Sequence, residues 1–278
     1  MLHTVAFYNV ENLYDIYDDK RTLDDDYTYF GQKSWNRKRY EDKLVKLSKT
    51  LKTIGWEETQ KLPAFFGLAE IENRKVLEDL LHHFPHQGTD YGFLHQDSLD
   101  ERGIDTAFFY DKKFFTLEKY EFIRIPVFNP DGSRDFTRDI VYAQGSIGQE
   151  KVHFFTLHLP SKRDEDINLS KRIYLLQQLR KRIDKIFEKD EKANVLILGD
   201  FNENPDAKYF CETLRCRRTI AELYSTDLFN PYENLFRDNR FSTAFSKKGE
   251  LFDQIIFSPA FFRKENPVKF VKAEIFNA

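Results

Sequence analysis

The sequence predicts an α/β fold in which helices cover the faces of a buried β-sheet. Two segments, 36–55 and 169–188, carry apolar residues at three- and four-residue steps, the period of an amphipathic helix. Around them, shorter segments alternate apolar and polar residues with the two-residue period of a β-strand. Strands interleaved with long helices are typical of an α/β sandwich with helices on both sheet faces.

The elements of the first half follow from these periods and from signals at their ends. They are, in order, a strand over 3–10, a helix over 36–55, a strand from Pro63 to about Glu70, a short helix after Asn73 and a strand over 106–110. Leu44, Leu47 and Leu51 give the first helix its apolar face. Asn73 suits an N-cap because its side chain accepts a bond from a free backbone N–H.

The second half is predicted to add strands around a second long helix. Its elements are, in order, strands near 120–125 and 139–147, a strand over 151–158, a helix over 169–188, a strand over 194–199, a helix over 205–214 and a strand over 251–257. Pro205 opens the last helix, since proline is tolerated in a first helical turn. No linker or repeat interrupts the chain, so we expect one domain over residues 1–278.

The most informative segment is the end of the strand over 194–199. There an apolar run stops at Gly199, and Asp200 and Asn202 follow two positions apart. In an extended chain these two side chains point the same way. A carboxylate at the end of a buried strand is costly unless a partner or a metal compensates it. The same residues also suit an Asx turn before the next helix.

The same change from apolar to polar recurs at other strand ends. The series are Val5, Phe7, Asn9, Glu11; Phe66, Leu68, Glu70, Glu72; Phe154, Thr156, His158; and, polar end first, Leu251, Asp253, Ile255, Phe257. In open α/β sheets, ligands bind at the carboxyl ends of the strands. If these strands are neighbours, and the last runs antiparallel, their polar residues converge on one rim. Any single series is equally explained by a turn or a helix cap.

The ordered set of motifs resembles the endonuclease/exonuclease/phosphatase superfamily over about residues 4–258. The matching segments are Asn9-Val10-Glu11-Asn12, Leu68-Ala69-Glu70, Leu157-His158-Leu159-Pro160-Ser161, Gly199-Asp200-Phe201-Asn202 and Phe252-Asp253-Gln254-Ile255. Arg102-Gly103-Ile104-Asp105 is typical of a bacterial branch resembling the pancreatic-type deoxyribonucleases. The resemblance implies a four-layered α/β sandwich, with two packed mixed β-sheets flanked by helices. It also implies a divalent-metal-dependent hydrolase of phosphodiester or phosphomonoester bonds.

Glu70 is the leading candidate for a metal ligand, with Asn9 and Glu11 beside it. Carboxylate and amide oxygens suit Mg²⁺ or Mn²⁺, which are hard cations with oxygen ligands. The alternative is that Glu70 or Glu72 caps the helix that starts near Asn73. For Glu72 the capping interpretation is favoured.

Asp200, Asn202, His158, Asp253 and Asn9 form the predicted catalytic set. Asp200 suits a general base or a water-orienting carboxylate, and Asn202 a group that positions water or phosphate. As an imidazolium, His158 would stabilise developing charge or protonate the leaving oxygen. The alternative for His158 is a buried structural histidine.

Three basic residues are candidates for binding substrate phosphate. Lys162 and Arg163 follow His158 closely and suit a phosphate, but a solvated loop explains them equally well. Arg102 either contacts phosphate or pairs with a neighbouring aspartate, and the pairing is favoured. The candidate partners are Asp97, Asp100 and Asp105.

Other titratable residues are expected to play no part. His82, His83, His86 and His95 fall in a polar helix end and loop, with no spacing that favours a metal. Asp24, Asp25 and Asp26 are predicted to lie in a solvated loop. Cys211 and Cys216, the only cysteines, are predicted to be reduced thiols.

The superfamily pattern closes with a Ser-Asp-His motif, whose histidine would be oriented by Asp253. No histidine follows His158 in this sequence. We therefore expect the chain to be truncated at its C-terminus, and the 278-residue form to have little phosphoesterase activity.

The composition limits the classes of molecule that the protein is expected to bind. A formal charge of −3 argues against a broadly basic protein that coats nucleic acid. The sequence shows no secretory signal or membrane span, which predicts a cytoplasmic protein. The expected partner is a phosphate ester, and the choice between DNA or RNA and a small-molecule or lipid phosphate stays open. The competing function is a catalytically inactive phosphate-binding module of the same fold.

Overall fold

A computed structural model of the chain describes residues 1–84, 90–129, 131–162, 166–245 and 248–276. The described residues form two compact units. The first comprises 1–114 and 122–141, and the second comprises 115–121 and the chain from 142 onward. A single domain over the whole chain stays a prediction.

The secondary structure alternates strands and helices along the chain. The strands are β1 (Val5–Leu13), β2 (Phe65–Ile71), β3 (Tyr91–His95), β4 (Asp105–Asp111), β5 (Thr116–Ile123), β6 (Val127–Phe128), β7 (Arg134–Asp135), β8 (Ile140–Ile147), β9 (Glu150–His158), β10 (Asn194–Asp200), β11 (Cys216–Arg217), β12 (Leu228–Phe229), β13 (Thr243–Phe245), β14 (Lys248–Glu250) and β15 (Asp253–Phe257). The helices are α1 (Arg37–Thr53), α2 (Trp56–Thr59), α3 (Arg74–His82), α4 (Leu169–Phe187), α5 (Lys208–Leu214) and α6 (Tyr232–Arg237). Short 3₁₀ helices lie at Asp25–Tyr27, Ile220–Glu222 and Pro259–Phe262.

The first unit is built on a four-stranded sheet in the order β1-β2-β4-β3. β1 and β2 are parallel, and β4 runs antiparallel to both β2 and β3. The carboxyl ends of β1, β2 and β3 and the start of β4 therefore lie at one edge, called here the first sheet edge. Asn36 and Asn73 cap α1 and α3 by accepting the backbone N–H groups of Arg39 and Val76, each at 3.1 Å.

The second unit is built on a seven-stranded sheet in the order β11-β12-β15-β10-β9-β8-β5. β9 and β10 are parallel, and β15 pairs antiparallel to β10 on its other side. In α4, the apolar face is fully buried at Leu176, Leu179 and Ile183, and the helix packs against α5. The ends of β9 and β10 and the start of β15 form the second sheet edge.

The predicted fold class is confirmed: two large mixed sheets are combined with helices. The predicted helices over 36–55 and 169–188 correspond to α1 and α4. The polar strand ends, however, divide between two sheets, since β1 and β2 belong to one and β9, β10 and β15 to the other. That the two sheet edges converge on one rim stays a prediction.

The sequence prediction omits the short helices α2 and α6 and the short strands β6, β7 and β11–β14, and two further elements differ from it. β3 was not predicted, because a five-residue strand containing Gly92 has too few apolar positions to show a period. The helix predicted over 205–214 begins at Lys208 instead, because residues 204–207 form a turn closed by the Ala207 N–H on the Asn204 carbonyl at 3.2 Å.

Three further features of the chain are the cysteines, the environment of Asp24 and the character of its helices. Both cysteines are free thiols, as predicted. The solvated-loop prediction is wrong for Asp24, which is 1% exposed and accepts the backbone N–H of Asp19 at 3.1 Å. Among the described residues, none of the helices combines the length and the apolar character that crossing a bilayer requires.

A buried histidine in β9 makes the stability of the second unit depend on pH. His153 is 8% exposed and its Nδ1 lies 2.8 Å from the Tyr142 hydroxyl. Burial, helped by the charge of Lys151, lowers the pKa of His153 from 6.5 to about 4. Between these values the unfolded chain binds the proton and the folded chain does not, so stability falls as the pH drops from 6.5 to 4.

We expect His153→Gln to reduce the slope of the free energy of unfolding against pH by up to about 1.4 kcal/mol per pH unit. Denaturant unfolding of both proteins between pH 4 and 7 measures the difference in slope. The matched control is His82→Gln, on the exposed end of α3. Equal slopes for wild type and His153→Gln would contradict the assignment.

Candidate active site

At the first sheet edge, Glu70 occupies a β-bulge. The pairing of β2 with β4 shifts register between Ala69 and Ile71, and Glu70 has φ +67°. This left-handed backbone costs a residue with a side chain about 1–2 kcal/mol. Strain of this kind persists where the surrounding structure enforces it, and it is concentrated at functional sites. The bulge places the half-buried Glu70 carboxylate where a regular strand would not.

The neighbouring turn in β1 has a similar backbone. The pairing of β1 with β2 becomes irregular after Asn9, and Glu11 and Asn12 have φ +55° and +64°. The Asn9 side chain closes the turn by accepting the Glu11 N–H at 2.9 Å. The predicted alternation of β1 therefore ends at Asn9, and Glu11 is an exposed turn residue.

Lys43 of α1 completes this part of the site. Its ammonium donates to the main-chain carbonyls of Glu11 and, at 3.1 Å, Asn12. Burial lowers the pKa of Lys43, against the charges of Glu11 and Glu70, which raise it. Both carboxylates also act on Tyr27, whose pKa is raised by burial and then by Glu70 and Glu11. Glu11 and Glu70 thus share one neighbourhood. Lys43 was missed because it is distant in sequence.

The residues at this edge fit a hard divalent cation. Glu70, Glu11 and Asn9 offer carboxylate and amide oxygens, the donors that Mg²⁺ and Mn²⁺ prefer. The charge of Lys43 interacts with both carboxylates while its ammonium is bonded to main-chain carbonyls.

Arg102 lies against the β1 turn. Its guanidinium donates to the Asn12 side chain, and its main-chain carbonyl accepts the Tyr14 hydroxyl at 2.7 Å. Asp100 is one of its predicted partners. The Asp100 side chain accepts the backbone N–H of Arg102 at 3.1 Å. The carboxylate of Asp100 instead faces Arg138 at 3.3 Å. The side-chain partner of Arg102 is thus an amide that the sequence did not suggest.

Glu72 neither caps a helix nor joins the metal-ligand candidates. Asn73 provides the cap of α3, and Glu72 accepts the backbone N–H of Asp15 at 2.5 Å. Burial raises the pKa of Glu72 to about 8, with smaller contributions from nearby aspartates. The favoured capping interpretation for this residue is wrong, because Asn73 takes that position.

At the second sheet edge, three titratable residues form one row. Asp200 is the register partner of His158 in β9 and of Asp253 in β15. Residues paired in this way project on the same face of a sheet. His158 and Asp200 are buried, and the His158 Nε2 lies 3.7 Å from the Asp200 Oδ2. Asp253 acts on the neighbouring buried Tyr232, whose pKa is raised by burial and then by this charge.

Asp200 and Asn202 form the Asx turn that the sequence left open. The Asn202 N–H donates to the Asp200 Oδ1 at 2.9 Å, and the Asn202 side-chain amide donates to the Leu159 carbonyl at 2.8 Å. Asn202 has φ +47°. One Asp200 oxygen thus holds the turn while the other faces His158. The structural and catalytic interpretations are therefore compatible.

Gly199 lies where β9 and β10 approach each other closely. A Cβ at this position would lie 2.8 Å from the Leu157 side chain and 2.9 Å from the Leu157 carbonyl oxygen. Glycine is required because β9 and β10 pack closely at this point. Its backbone φ is not in the left-handed region.

Glu203 organises the loop that follows Asn202. This carboxylate is 4% exposed and accepts bonds from the Lys162 ammonium at 2.6 Å and from the Tyr209 hydroxyl. The Arg172 guanidinium lies 3.4 Å away. Burial opposes ionisation of Glu203, but the bonds from Lys162 and Tyr209 outweigh it and lower its pKa.

Arg172 ties this loop to the loop after β9. The side chain is fully buried, and it also bonds Asp166 at 2.5 and 2.6 Å and the Pro160 carbonyl at 3.4 Å. A signal for it was present, since arginine is unusual in the apolar face of a helix such as α4. Lys162, predicted to hold phosphate, is engaged by Glu203. Arg163 lies outside the described residues.

Fold and site together define a class: a mixed α/β protein with acidic, amide and histidine side chains at strand ends. The family comparison agrees. The model of the endonuclease/exonuclease/phosphatase family matches residues 4–278, and the chain belongs to this family. A comparison with curated proteins finds no significant match.

Solved structures share the fold at low sequence identity. A D. rerio TDP2 humanised by 14 mutations is 19% identical to this chain. The match covers 94% of this chain and 84% of the TDP2 chain, with a TM-score of 0.57. A mannosyl-6-phosphatase of Bacteroides thetaiotaomicron is 14% identical, with coverages of 93% and 86% and a TM-score of 0.55. The human nocturnin catalytic domain is 17% identical, with coverages of 78% and 74% and a TM-score of 0.53. At these identities the similarities show a shared fold, and the family assignment rests on the family model.

We expect Arg172→Met to destabilise the protein by about 3–5 kcal/mol, because it removes the fully buried guanidinium that pairs with Asp166 and Glu203. Denaturant unfolding measures the loss. The matched control, also on α4, is Arg182→Met, whose ion pair with Glu121 is exposed and contributes at most about 1 kcal/mol. Similar losses in the two variants would show that the Glu203 network is not a stabilising unit.

Proposed function

We propose that this protein is a divalent-metal-dependent phosphoesterase that hydrolyses phosphodiester or phosphomonoester bonds with a carboxylate-oriented water. The observation that supports it most is the row of His158, Asp200 and Asp253 across three adjacent strands. A buried carboxylate flanked by an imidazole and a second carboxylate is suited to moving a proton. A structural core would not need this combination at a strand end.

In this proposal Asp200 orients the attacking water and accepts its proton. Its Oδ1 is held by the Asn202 N–H, which fixes the carboxylate and leaves Oδ2 on the side of His158. His158 stabilises the charge that develops on phosphorus-bound oxygen or protonates the leaving group. Asn202 is fixed by the hydrogen bond that its side-chain amide donates to the Leu159 carbonyl, and it positions water or phosphate.

Glu70, Glu11 and Asn9 are proposed to hold the cation, Mg²⁺ or Mn²⁺. A bound ion would supply polarisation of a phosphoryl oxygen and neutralisation of charge in the transition state. Lys43 fixes the turn that carries Glu11 and Asn12 through its bonds to their carbonyls. Arg102, bonded to the Asn12 side chain, would contribute a guanidinium to phosphate binding.

Lys162 and Arg163 remain proposed phosphate ligands. The ammonium of Lys162 lies 2.6 Å from the Glu203 carboxylate, so a phosphate bound to it competes with an existing ion pair. In this proposal the ion pair weakens the binding of phosphate to Lys162. The same ion pair keeps the loop ordered in the free enzyme. Arg163 carries no comparable argument, since it lies outside the described residues.

The substrate class is best decided by a screen. One similar solved structure is a D. rerio TDP2 with a single-strand DNA product, and another is a mannosyl-6-phosphatase. The panel is plasmid DNA, single-stranded DNA, bis-p-nitrophenyl phosphate, a hexose 6-phosphate, inositol phosphates and sphingomyelin, each with Mg²⁺ and with EDTA. Metal-dependent turnover of any of them supports the proposal. Phosphate binding without turnover of all of them supports the inactive binding module instead.

Glu70→Gln should weaken Mg²⁺ binding by at least about tenfold, because the amide keeps one oxygen but loses the charge that attracts a hard cation. Isothermal titration calorimetry with MgCl₂ measures the change. Glu57→Gln, on the exposed surface of α2, is the matched control. Unchanged Mg²⁺ affinity in Glu70→Gln would move the metal elsewhere.

In a form of the enzyme that turns over a substrate, Asp200→Asn should lower kcat by about 10²–10⁴-fold with little loss of stability. The amide oxygen can still accept the Asn202 N–H, so the Asx turn persists. Asp206→Asn, at an exposed position in the next turn, is the control. If Glu70 and Asp200 serve one reaction, the double variant loses less than the product of the two single effects. Near-normal kcat in Asp200→Asn would assign the base to another residue.

A further inference from the structure

The first unit contains a second group of metal-ligating side chains: His95, Asp97 and Asp105. Their ligand atoms all lie within 4.8 Å of one another. His95 ends β3 and Asp105 begins β4, so both belong to the first sheet edge. The expectation that His95 sits in a polar loop is wrong: its side chain is 2% exposed. The group does not include Glu70, Glu11 or Asn9, and Asp105 is the register partner of Ile71, the residue after Glu70.

We propose that His95, Asp97 and Asp105 bind a zinc ion that clamps the loop between β3 and β4. One imidazole and two carboxylates are a donor set that Zn²⁺ accepts, with a fourth position left for water. Imidazole suits Zn²⁺ better than Mg²⁺, which prefers oxygen ligands. The site therefore differs in ligand chemistry from the all-oxygen set around Glu70, and it is independent of the proposed reaction.

Two buried acceptors in the group have unused bonding capacity. Among the described residues, the His95 Nε2 and the Asp105 Oδ1 are buried and have no hydrogen-bond partner, whereas the Asp105 Oδ2 accepts the Ser98 N–H at 2.9 Å. Leaving a buried polar atom unpaired destabilises the folded state. A bound cation would remove this cost by taking up lone pairs that the protein leaves unused.

The surrounding charges do not replace such a cation. Arg138 contacts the Asp100 carboxylate at 3.3 Å, and Arg124 pairs with Asp139 at 2.8 Å. In the part of the chain that the structure describes, Asp105 has no ion pair of its own.

Zinc binding requires the ligand atoms to move closer together, and Asp97 at the surface can make this movement. Zinc bonds to nitrogen and oxygen are about 2.0–2.2 Å long, so the ligand atoms must move closer together than 4.8 Å. Asp97 can supply this movement because its side chain is 72% exposed. His95 and Asp105 supply the rigid part, since both are buried.

The consequence of binding is local. Residues 96–104 connect His95 to Asp105 and carry Arg102 and Gly103. A metal bonded to both ends of this loop reduces the conformations it samples. Arg102, which donates to Asn12 in the β1 turn, is thereby held in place.

The test is a titration of the full chain, freed of metal with EDTA and dialysed, with ZnCl₂ and separately with MgCl₂. We expect one zinc site, weakened at least about tenfold in His95→Gln and in Asp97→Asn, with Mg²⁺ binding unchanged in both. Asp97→Asn keeps the test valid if His95→Gln fails to fold, since Asp97 is exposed. Zinc should also raise the Tm of the wild type more than that of either variant.

Glu70→Gln and His82→Gln are the controls. Glu70→Gln should leave the zinc affinity unchanged, and so should His82→Gln, on the exposed end of α3. Wild-type zinc affinity in Asp97→Asn and in folded His95→Gln would overturn the proposal. It would also be overturned if zinc binding were lost in Glu70→Gln and kept in the other two. Failure of the phosphoesterase proposal would leave these titrations unaffected.

Discussion

The site at the second sheet edge depends on the backbone register of β10. This strand pairs with β9 on one side and with β15 on the other, and both registers place a polar partner opposite Asp200. A slip of one residue in either pairing would turn the partner side chain to the other face of the sheet. The apolar residues that fill β9 and β10 hold the register, because a slip would also expose them. Core packing and the position of the titratable row are therefore one property of the molecule.

Backbone strain is concentrated at the same places. Glu11, Glu70 and Asn202 all have positive φ, and each comes at the end of a strand that is otherwise regular. A regular strand directs alternate side chains to opposite faces, whereas a left-handed residue redirects the next one. The chain accepts this cost at both sheet edges. In the first unit it turns Glu70 out of the ladder, and in the second it lets Asn202 reach the Leu159 carbonyl.

Periodicity and end signals predicted α1, α3, α4 and α5, the longer strands and the antiparallel direction of β15, because these depend on local patterns that the chain itself carries. They also picked out Asp200 as a strand-end carboxylate next to a turn. They did not reveal Lys43, Glu203 or the burial of His95. Lys43 reaches the β1 turn through the packing of α1, and Glu203 is paired through Arg172, Lys162 and Tyr209. Contacts between residues far apart in sequence leave no periodic trace, so tertiary structure alone supplies them.

The close packing of Gly199 against Leu157 links two residues that lie 42 positions apart in the chain. A side chain at position 199 would push β10 away from β9, and a smaller residue at 157 would not prevent this, because the Cβ would also lie 2.9 Å from the backbone carbonyl oxygen of Leu157. Related sequences should therefore keep glycine at 199, whatever residue stands at 157. Divergence is thus restricted at this point of the sheet, while the exposed loops can change one residue at a time.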